Sequence, residues 1–266
     1  MAKAETGICY LTGQLIRREL AARYRGSLLG VVWSLLTPLL MLAVYTFVFS
    51  VVFKTRWSGM AIQEGGSQAD FALILFSGLA LHQWLAECLS QAPTLISNQT
   101  NYVKRVIFPL RIFPVVLVST AFVQYLISMG ILLTAMLVVY HSIPWTVLYL
   151  PVILLPFLLL LLGISWLLAS LGVFIPDIRH VTGLLTTVLL FLSTIFYPAE
   201  ALPEAIRAYI YLNPLSFIVD QIRAVCFWGE GPDWLLLSLY YAVGISVYFS
   251  GYWWFRTTRK GFADIL

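Results

Sequence analysis

The segment Arg17–Pro38 reads RRELAARYRGSLLGVVWSLLTP, in which a basic stretch runs without a turn signal into a long apolar one. Lys and Arg residues beside an apolar span are retained on the cytoplasmic side of a membrane. This junction therefore predicts a membrane protein whose N-terminus is cytoplasmic.

The composition of the whole chain agrees with that class. Hydrophobic residues make up 61% and charged residues 11% of the 266 residues, and the mean hydropathy is +0.90. Soluble domains carry about 25% charged residues. So few charges cannot cover a water-facing surface, and the apolar runs are continuous rather than alternating. The composition predicts an all-α integral membrane protein, with one transmembrane domain over 1–266.

Charge-free runs predict the number of membrane crossings, because a hydrocarbon core about 30 Å thick requires about 20 apolar residues per helix. Six spans are predicted, at about 28–53, 71–91, 112–140, 146–174, 181–197 and 234–255. The third and fourth are separated at His141–Trp145, which contains a proline. Glu87 falls near the inner end of the second span, where an interfacial role or a salt bridge is expected. His82 is expected to be a hydrogen-bonded packing residue.

The distribution of basic residues predicts the orientation of these spans. With the N-terminus inside, 12 of the 16 Lys and Arg residues lie in inner segments, so both termini are predicted to be cytoplasmic. The pI near 9.0 is then a topology signal. No nucleic-acid partner is expected, because no basic module rich in aromatic residues is present.

The motifs that would indicate an enzyme are missing from the sequence. It contains no G-x-x-x-x-G-K-[ST] phosphate loop and no His-Glu metal motif. The three cysteines lie far apart without a histidine at ligand spacing, so neither a disulfide framework nor a metal site is predicted. We therefore expect no catalytic residue, metal or cofactor in this chain.

Residues 1–27 are predicted to form an amphipathic helix at the inner face. Ile8, Leu11, Leu15 and Ala22 fall on one side of a helical wheel. Arg17 and Arg23 project elsewhere, and Arg18 lies at the edge of the apolar side. Such a helix can lie in the membrane interface with its arginine side chains extended to the headgroups. Two interpretations stay open: a generic membrane anchor, or an inner collar that also contacts another protein.

The inner loop after the second span, PTLISNQTNYVKRVIFPLR, offers Asn98 and Asn101 as helix caps and Pro109 as a stop. This pattern predicts a helix of about two turns with apolar and basic residues, which suits docking of a soluble partner. The alternative is a basic tether that only sets topology.

The outer connection between the last two predicted spans, about 200–228, is unusually apolar for a loop. Pro203 suits the first turn of a helix that ends at Asn213–Pro214, and Ser216 can cap a second helix that ends near Gly229. Both helices are too short to span, so they are predicted to dip between the membrane helices as a gate. A static interfacial pair is the alternative.

Aromatic residues make up 15% of the chain, and most are expected to face lipid or the protein core. A subset that lines a pore would suit sugars, because pyranose rings stack on aromatic rings through weak contacts that allow sliding. Candidates on the first and fifth spans are Tyr45, Phe49, Phe191 and Tyr197.

Four segments together resemble the membrane subunit of ABC exporters that move lipid-linked polysaccharides, the O-antigen and teichoic-acid type. They are RYRGSLLGVVWSLLTPL (23–39), NQTNYVKRVIFPLR (98–111), FIPDIRH (174–180) and LNPLSFIVDQIR (212–223). The resemblance covers nearly the whole chain. It implies a homodimeric channel in a bacterial inner membrane, each copy paired with a separate ATPase subunit that binds ATP and Mg.

The resemblance also implies residue roles. The residues that it implies contact the ATPase are Asn98, Asn101, Tyr102, Lys104, Arg105, Asp177 and Arg179. The residues that it implies attract the pyrophosphate of an undecaprenyl-linked glycan, where the lipid enters, are Arg17, Arg18, Arg23 and Arg25. The outer gate would include Pro203, Asn213, Pro214 and Arg223. Two alternatives stay open: another ABC cargo, such as a teichoic acid, lipid or drug, and a membrane enzyme acting on lipid-linked sugars.

Overall fold

The computed structural model describes residues 2–23, 30, 32–48, 68–103, 108–199, 202–203, 207 and 209–266. Over these residues the chain forms helices and turns and no strand, which confirms the all-α prediction at this level. The helices are α1 (Ala2–Arg23), α2 (Val32–Thr46), α3 (Gln68–Gln91), α4 (Thr100–Val103), α5 (Ile112–Tyr140), α6 (Leu150–Phe174), α7 (Ile178–Phe191), α8 (Pro214–Arg223), α9 (Trp234–Thr258) and α10 (Phe262–Ile265).

Within the described residues, four segments are long and apolar enough to cross a membrane. They are Asp70–Thr94, Ile112–Tyr140, Trp145–Phe174 and Trp234–Gly261. The break predicted at His141–Trp145 is confirmed, because His141 adopts a left-handed conformation at the end of α5 and a 3₁₀ turn follows at Trp145–Tyr149. Helices α2 and α7 are shorter, with 15 and 14 residues. Helix α7 ends at Phe191, before the predicted end of the fifth span at 197.

Helices α3 and α5 pack antiparallel around an aromatic core. Tyr140 donates to Asp70 at 2.7 Å near the end of one helix and the start of the other. Further along, the Trp84 indole donates to the Val118 carbonyl at 3.3 Å. Its ring also stacks on Tyr125 at 5.3 Å between ring centroids. Pairs of buried aromatic rings stabilise a bundle beyond the area they bury.

Helices α6 and α9 pack closely through small residues. A Cβ atom added to Gly251 would lie 2.0 Å from the Gly163 carbonyl oxygen, so only glycine fits there. One heptad further along both helices, the hydroxyls of Ser170 and Thr258 lie 2.6 Å apart. Small residues permit such approach between apolar helices. The contacts follow the same order along both helices, so α6 and α9 run parallel.

These packing directions separate the bundle into two ends. At one, which we call the basic end, Arg18 and Tyr102 lie together, as do Arg111 and Tyr252. At the other, which we call the far end, the rings of Tyr149 and Trp234 meet at 5.6 Å.

Candidate functional site

A cavity of about 350 Å³ lies between α2, α3 and α5 and reaches the basic end. We call it the inner cavity. Its apolar wall comes mainly from α2 and α3, and its polar lining comes from all three helices and the end of α1. The lining residues are Arg23, Thr37, Pro38, Met41, Tyr45, Phe76, Leu79, Ala80, Gln83, Glu87, Gln124 and Ser128.

An ion pair between Arg23 and Glu87 closes one side of the inner cavity. Both guanidinium Nη atoms bond to the carboxylate, Nη1 to Oε2 at 3.4 Å and Nη2 to Oε1. The Gln91 amide also donates to the Glu87 Oε1 at 3.4 Å. The salt bridge expected for Glu87 is therefore confirmed. The two side chains are 24% and 10% exposed, so the pair is accessible from the cavity and its surroundings.

Arg23 reaches the cavity because α1 lies along the start of α5. Leu15 is buried against Ile112 and Val116, with Leu11 partly buried beside them. The amphipathic character of α1 is confirmed at these positions, although Ala22, expected on the same face, is exposed. Arg17 and Arg18 are exposed, and Arg18 Nη1 donates to the Tyr102 hydroxyl at 3.5 Å.

Sequence reasoning missed the uncharged polar lining of the inner cavity. Gln83 and Glu87 are four residues apart on α3, and Gln124 and Ser128 are four apart on α5. Residues at this spacing share one face of a helix. Two polar pairs at this spacing on otherwise apolar helices were the sequence signal that could have predicted this lining. The Gln124 amide donates to the Ser34 carbonyl on α2 at 2.8 Å, so it also fixes the position of α2.

A second cluster, which we call the outer hub, joins the end of α7 to α8. Asn213 caps α8, since its side-chain oxygen accepts from the Leu215 amide at 3.0 Å. Its Nδ2 donates to the carbonyls of Leu189 at 2.8 Å and Leu192 at 2.7 Å. The last carbonyls of a helix have no partner within the helix, and Asn213 satisfies two of those at the end of α7. The prediction that Ser216 caps this helix was wrong.

Arg223 completes the outer hub from the other end of α8. It is 1% exposed, and its Nη1 donates to the Thr194 carbonyl at 2.6 Å. Its Nη2 donates to the carbonyls of Ile195 at 2.9 Å and Ile74 at 3.3 Å. Burial lowers the pKa of Arg223 to about 10, opposed by the Asp220 carboxylate, so Arg223 is charged at neutral pH.

The hub is also close-packed around this guanidinium. A Cβ atom added to Gly78 on α3 would lie 3.1 Å from Ile195 Cγ1 and 3.2 Å from Arg223 Nη2. The Thr194 hydroxyl donates to the Ser216 carbonyl at 3.2 Å. The segment after α7, the start of α8 and the middle of α3 therefore form one connected unit.

The described candidate aromatic residues do not all line the inner cavity, since Phe191 and Tyr197 are not part of its lining. Tyr45 lines the inner cavity. Phe191 stacks on Phe196 with ring centroids 5.6 Å apart, and the Tyr197 hydroxyl donates to the Phe191 carbonyl at 2.7 Å. Phe49 lies outside the described residues.

Comparison with known proteins gives the class of this molecule. The model of the ABC-2 type transporter family matches residues 10–227, most of the chain. The chain belongs to the ABC-2 type transporter family. Such a protein is the membrane component of a transporter and not an enzyme, and the family implies an ATPase partner and a lipid environment.

Curated relatives of this ABC-2 transporter subunit share its full length. The O-antigen export system permease protein RfbA of Myxococcus xanthus is 27% identical over 252 residues, which cover 94% of this chain and 93% of that protein. Two proteins of the same name from Klebsiella pneumoniae are 24% and 23% identical, and each alignment covers 99% of both chains.

Those predicted ATPase-contact residues that the structure describes fall on two segments at the basic end of the ABC-2 subunit. Asn98 and Asp177 are exposed, and Arg179 donates from Nε to His180 at 3.3 Å. Tyr102 packs on Phe108, with ring centroids 4.7 Å apart. Of the predicted helix of two turns, the described residues form a 3₁₀ turn at Ser97–Gln99 followed directly by α4. Outside the described residues lie Arg25, Lys104, Arg105 and the side chain of Asn101.

The loop that carries these residues is held against α6. A Cβ atom added to Gly172 would lie 1.9 Å from the Pro93 carbonyl oxygen, so the chain after α3 touches the α6 backbone. Ile96 is buried in the same cluster as Trp166 and Phe255. A force applied to this loop would therefore reach α6 and α9 directly.

No group of three or more His, Cys, Asp or Glu side chains that could hold a metal exists in the part of the chain that the structure describes. His82 bonds through Nε2 to the Thr186 carbonyl at 3.1 Å, which confirms its predicted packing role between α3 and α7. Pro203 is exposed. Of the helix predicted from Pro203 to Asn213, residues 204–206 and 208 lie outside the described residues.

Proposed function

We propose that this ABC-2 subunit is the channel-forming permease of an ATP-driven exporter of undecaprenyl-linked, O-antigen-like polysaccharide across the bacterial inner membrane. The observation that carries the proposal is similarity along the whole chain to three O-antigen export permeases, two of them over 99% of both chains. Two copies form the channel, and each binds one ATPase subunit, which carries ATP and Mg.

In this proposal six helices cross the membrane and both termini are cytoplasmic, with the basic end inside. The packing directions support it. Spans two and three, α3 and α5, must run antiparallel, and Tyr140 does meet Asp70. Spans four and six must run parallel, and α6 and α9 meet in the same order from Gly163–Gly251 to Ser170–Thr258.

The inner cavity is where the charged linkage of the cargo first binds. Its wall carries Arg23, which bonds to Glu87 through two nitrogens, and guanidinium binds phosphate oxygens with the same paired geometry. A pyrophosphate can therefore replace Glu87 as the partner of Arg23. Arg17, Arg18 and Arg25 form the rest of the basic collar that attracts it.

The glycan then follows aromatic side chains toward the far end. Tyr45 lines the same cavity as Arg23, so a sugar next to a bound pyrophosphate would meet its ring. Phe49, on the same segment, and Phe191 with Tyr197 are the proposed later contacts. Weak stacking suits a channel that must pass many successive sugars.

Helix α7 connects the ATPase to the gate. Asp177 and Arg179 lie at its start, and the carbonyls bonded by Asn213 and Arg223 lie at or just after its end. Its 14 residues form a rod about 21 Å long. Closure of the ATPase dimer would shift α7 as a rigid body. Because α8 is bonded to the end of that rod, the re-entrant α8 and the preceding segment from Pro203 move with it.

The test is deletion of the gene from its own bacterium, with lipid-linked and surface glycans analysed separately. Long-chain surface glycan should disappear while lipid-linked glycan accumulates at the inner membrane, and the intact gene should restore display. A tagged chain should co-purify with an ATPase in a complex of two copies each. A deletion strain that still displays all its long-chain glycans would show that the cargo is different.

A further inference from the structure

A second cavity, of about 360 Å³, opens between the start of α5 and the end of α9 at the basic end. It shares no residue with the inner cavity. Three of its lining residues are arginines, and none of the three has a role in the proposed transport path. The lining consists of Pro109, Arg111, Tyr252, Phe255, Arg256 and Arg259.

Arg111 is held in place by α6 and α9. Its Nη1 donates to the Tyr252 hydroxyl at 2.9 Å, and its carbonyl accepts from the Trp166 indole at 3.1 Å. The ring of Trp166 also meets Tyr252 edge-on, with centroids 5.2 Å apart. Two hydrogen bonds and a ring contact therefore fix the direction of this guanidinium, so less side-chain entropy is lost when it binds a ligand.

The other two arginines lie on the same side of α9 as Tyr252. Arg256 follows Tyr252 by four residues and Arg259 by seven, which places them one and two turns along one helix face. Phe255 is 1% exposed and supplies an apolar floor. The two ion pairs formed between described side chains, Arg23–Glu87 and Arg223–Asp220, both lie outside this cluster. No carboxylate of described position thus lies within 4.0 Å of this cluster.

Three like charges around so small a cavity repel one another, and the repulsion is relieved when an anion binds between them. The level of the cavity along the apolar helix α9 indicates which kind of anion binds there. Arg256 is the first charged residue of α9, after an apolar stretch that begins at Trp234. Trp253, in the turn before it, is 64% exposed, and tryptophan is enriched at the level of lipid headgroups.

We propose that this cavity binds the phosphate of an anionic phospholipid from the surrounding bilayer, with phosphatidylglycerol as the simplest ligand. The phosphodiester accepts hydrogen bonds from Arg111, Arg256 and Arg259, and the acyl chains lie against the exposed apolar surface beside Trp253. The lipid joins the start of α5 to the end of α9. This site depends only on the membrane location of the chain and not on the nature of the cargo.

The experiment titrates the purified full-length chain in nonionic detergent with phosphatidylglycerol, and native mass spectrometry measures the bound lipid. Phosphatidylcholine and inorganic phosphate form two further arms. Arg259→Gln should weaken phosphatidylglycerol binding roughly fivefold, and Arg256→Gln with Arg259→Gln more strongly, because each arginine near a lipid surface contributes about 1 kcal/mol. Lys260→Gln removes the same charge from the neighbouring position outside the cavity.

The Lys260→Gln variant should bind nearly as tightly as the unchanged chain, because Lys260 does not line the cavity, and phosphatidylcholine should bind much more weakly than phosphatidylglycerol. Arg259 and Lys260 are both exposed, so neither change removes a buried contact, and unchanged thermal unfolding verifies the fold. The proposal fails if Lys260→Gln loses as much binding as Arg259→Gln. It also fails if inorganic phosphate occupies the cavity at the concentrations at which the lipid does.

Discussion

Arg23 in the inner cavity and Arg223 in the outer hub are both arginines at the edge of a membrane bundle, yet their surroundings differ. Arg223 is 1% exposed and donates to three backbone carbonyls. The Arg23 side chain is 24% exposed and bonds to one carboxylate in a cavity wall. Arg223 is therefore held by main-chain groups, and Arg23 is held by a side chain.

This difference decides what each arginine can do. A backbone carbonyl cannot leave Arg223 unless α3, α7 or α8 moves, so the hub holds three elements together. The Glu87 carboxylate can be replaced by another anion without any change of backbone. We therefore expect changes at the hub to alter stability and assembly, and changes at the inner cavity to alter ligand binding with the fold intact.

The largest effect is expected from Arg223→Met. Methionine fills much of the space but leaves the carbonyls of Thr194 and Ile195 without this donor, and buried unsatisfied groups cost about 1–3 kcal/mol each. The Ile74 carbonyl still accepts from the Ser77 hydroxyl. We expect loss of most folded protein, measured as the yield of the monodisperse peak in size-exclusion chromatography. Arg223→Lys keeps the charge but not the planar fork, and should be intermediate. A methionine variant that assembles and unfolds like the unchanged chain would contradict the hub.

Asn213→Asp should have the next largest effect, about 2 kcal/mol of unfolding free energy. Aspartate still accepts from the Leu215 amide, but it no longer donates to Leu189 and Leu192 and places a negative charge beside their carbonyls. Asn213→Ser keeps an acceptor without that charge and should be milder. Thermal unfolding in detergent measures both.

Asp233 offers the matched control for this change. It caps α9 by accepting from the Leu236 amide at 3.1 Å, and a cap acts through its acceptor oxygen alone. Asp233→Asn should therefore be nearly neutral. Equal unfolding temperatures for Asn213→Asp and the unchanged chain would show that the two donated hydrogen bonds do not hold α7 to α8.

The sequence predicted the helical class, the break at His141, the salt bridge of Glu87 and the packing role of His82, because each depends on local pattern or on a charge in an apolar run. It did not predict that Arg223 is buried, since burial depends on where the chain after α7 folds back. The same fold places the cap at Asn213 instead of Ser216. The cavities also depend on which helix faces pack against one another. The residue pattern of a single helix does not contain that information.

Arg23→Gln should leave stability nearly unchanged and reduce export roughly tenfold, since one charge-assisted contact to a pyrophosphate is worth about 1.5 kcal/mol or more. Partly exposed ion pairs contribute about 0–1 kcal/mol to stability. The measurement compares the unfolding temperature with surface glycan per copy of expressed protein. If Arg23→Gln lowers the unfolding temperature as much as Asn213→Asp does, Arg23 stabilises the fold as the outer hub does, and the proposed difference between the two regions is wrong.

Glu87→Gln tests the same site with an effect of the opposite sign, because it should strengthen ligand binding where Arg23→Gln weakens it. The variant removes the competitor of the pyrophosphate, so a lipid pyrophosphate should bind the purified chain several-fold more tightly than it binds the unchanged chain. If Glu87→Gln and Arg23→Gln weaken binding equally, Glu87 supports the ligand through Arg23 rather than competing with it. That outcome would show that the ion pair acts as a unit.

The smallest effect is expected at Tyr45, which contributes a ring to the inner cavity rather than a charge. Stacking on an aromatic ring contributes about 1–3 kcal/mol for a nucleobase, and a sugar face binds more weakly. Tyr45→Ala should reduce export only about threefold, and Tyr45→Phe should keep nearly all of it because the ring is retained. Tyr45→Phe should unfold at the temperature of the unchanged chain and Tyr45→Ala slightly below it, because the partly buried ring packs against the core. Export is therefore compared per copy of folded protein. If the phenylalanine variant loses as much export as the alanine variant, the hydroxyl and not the ring faces the cargo, and the inner cavity then recognises its ligand through polar groups throughout.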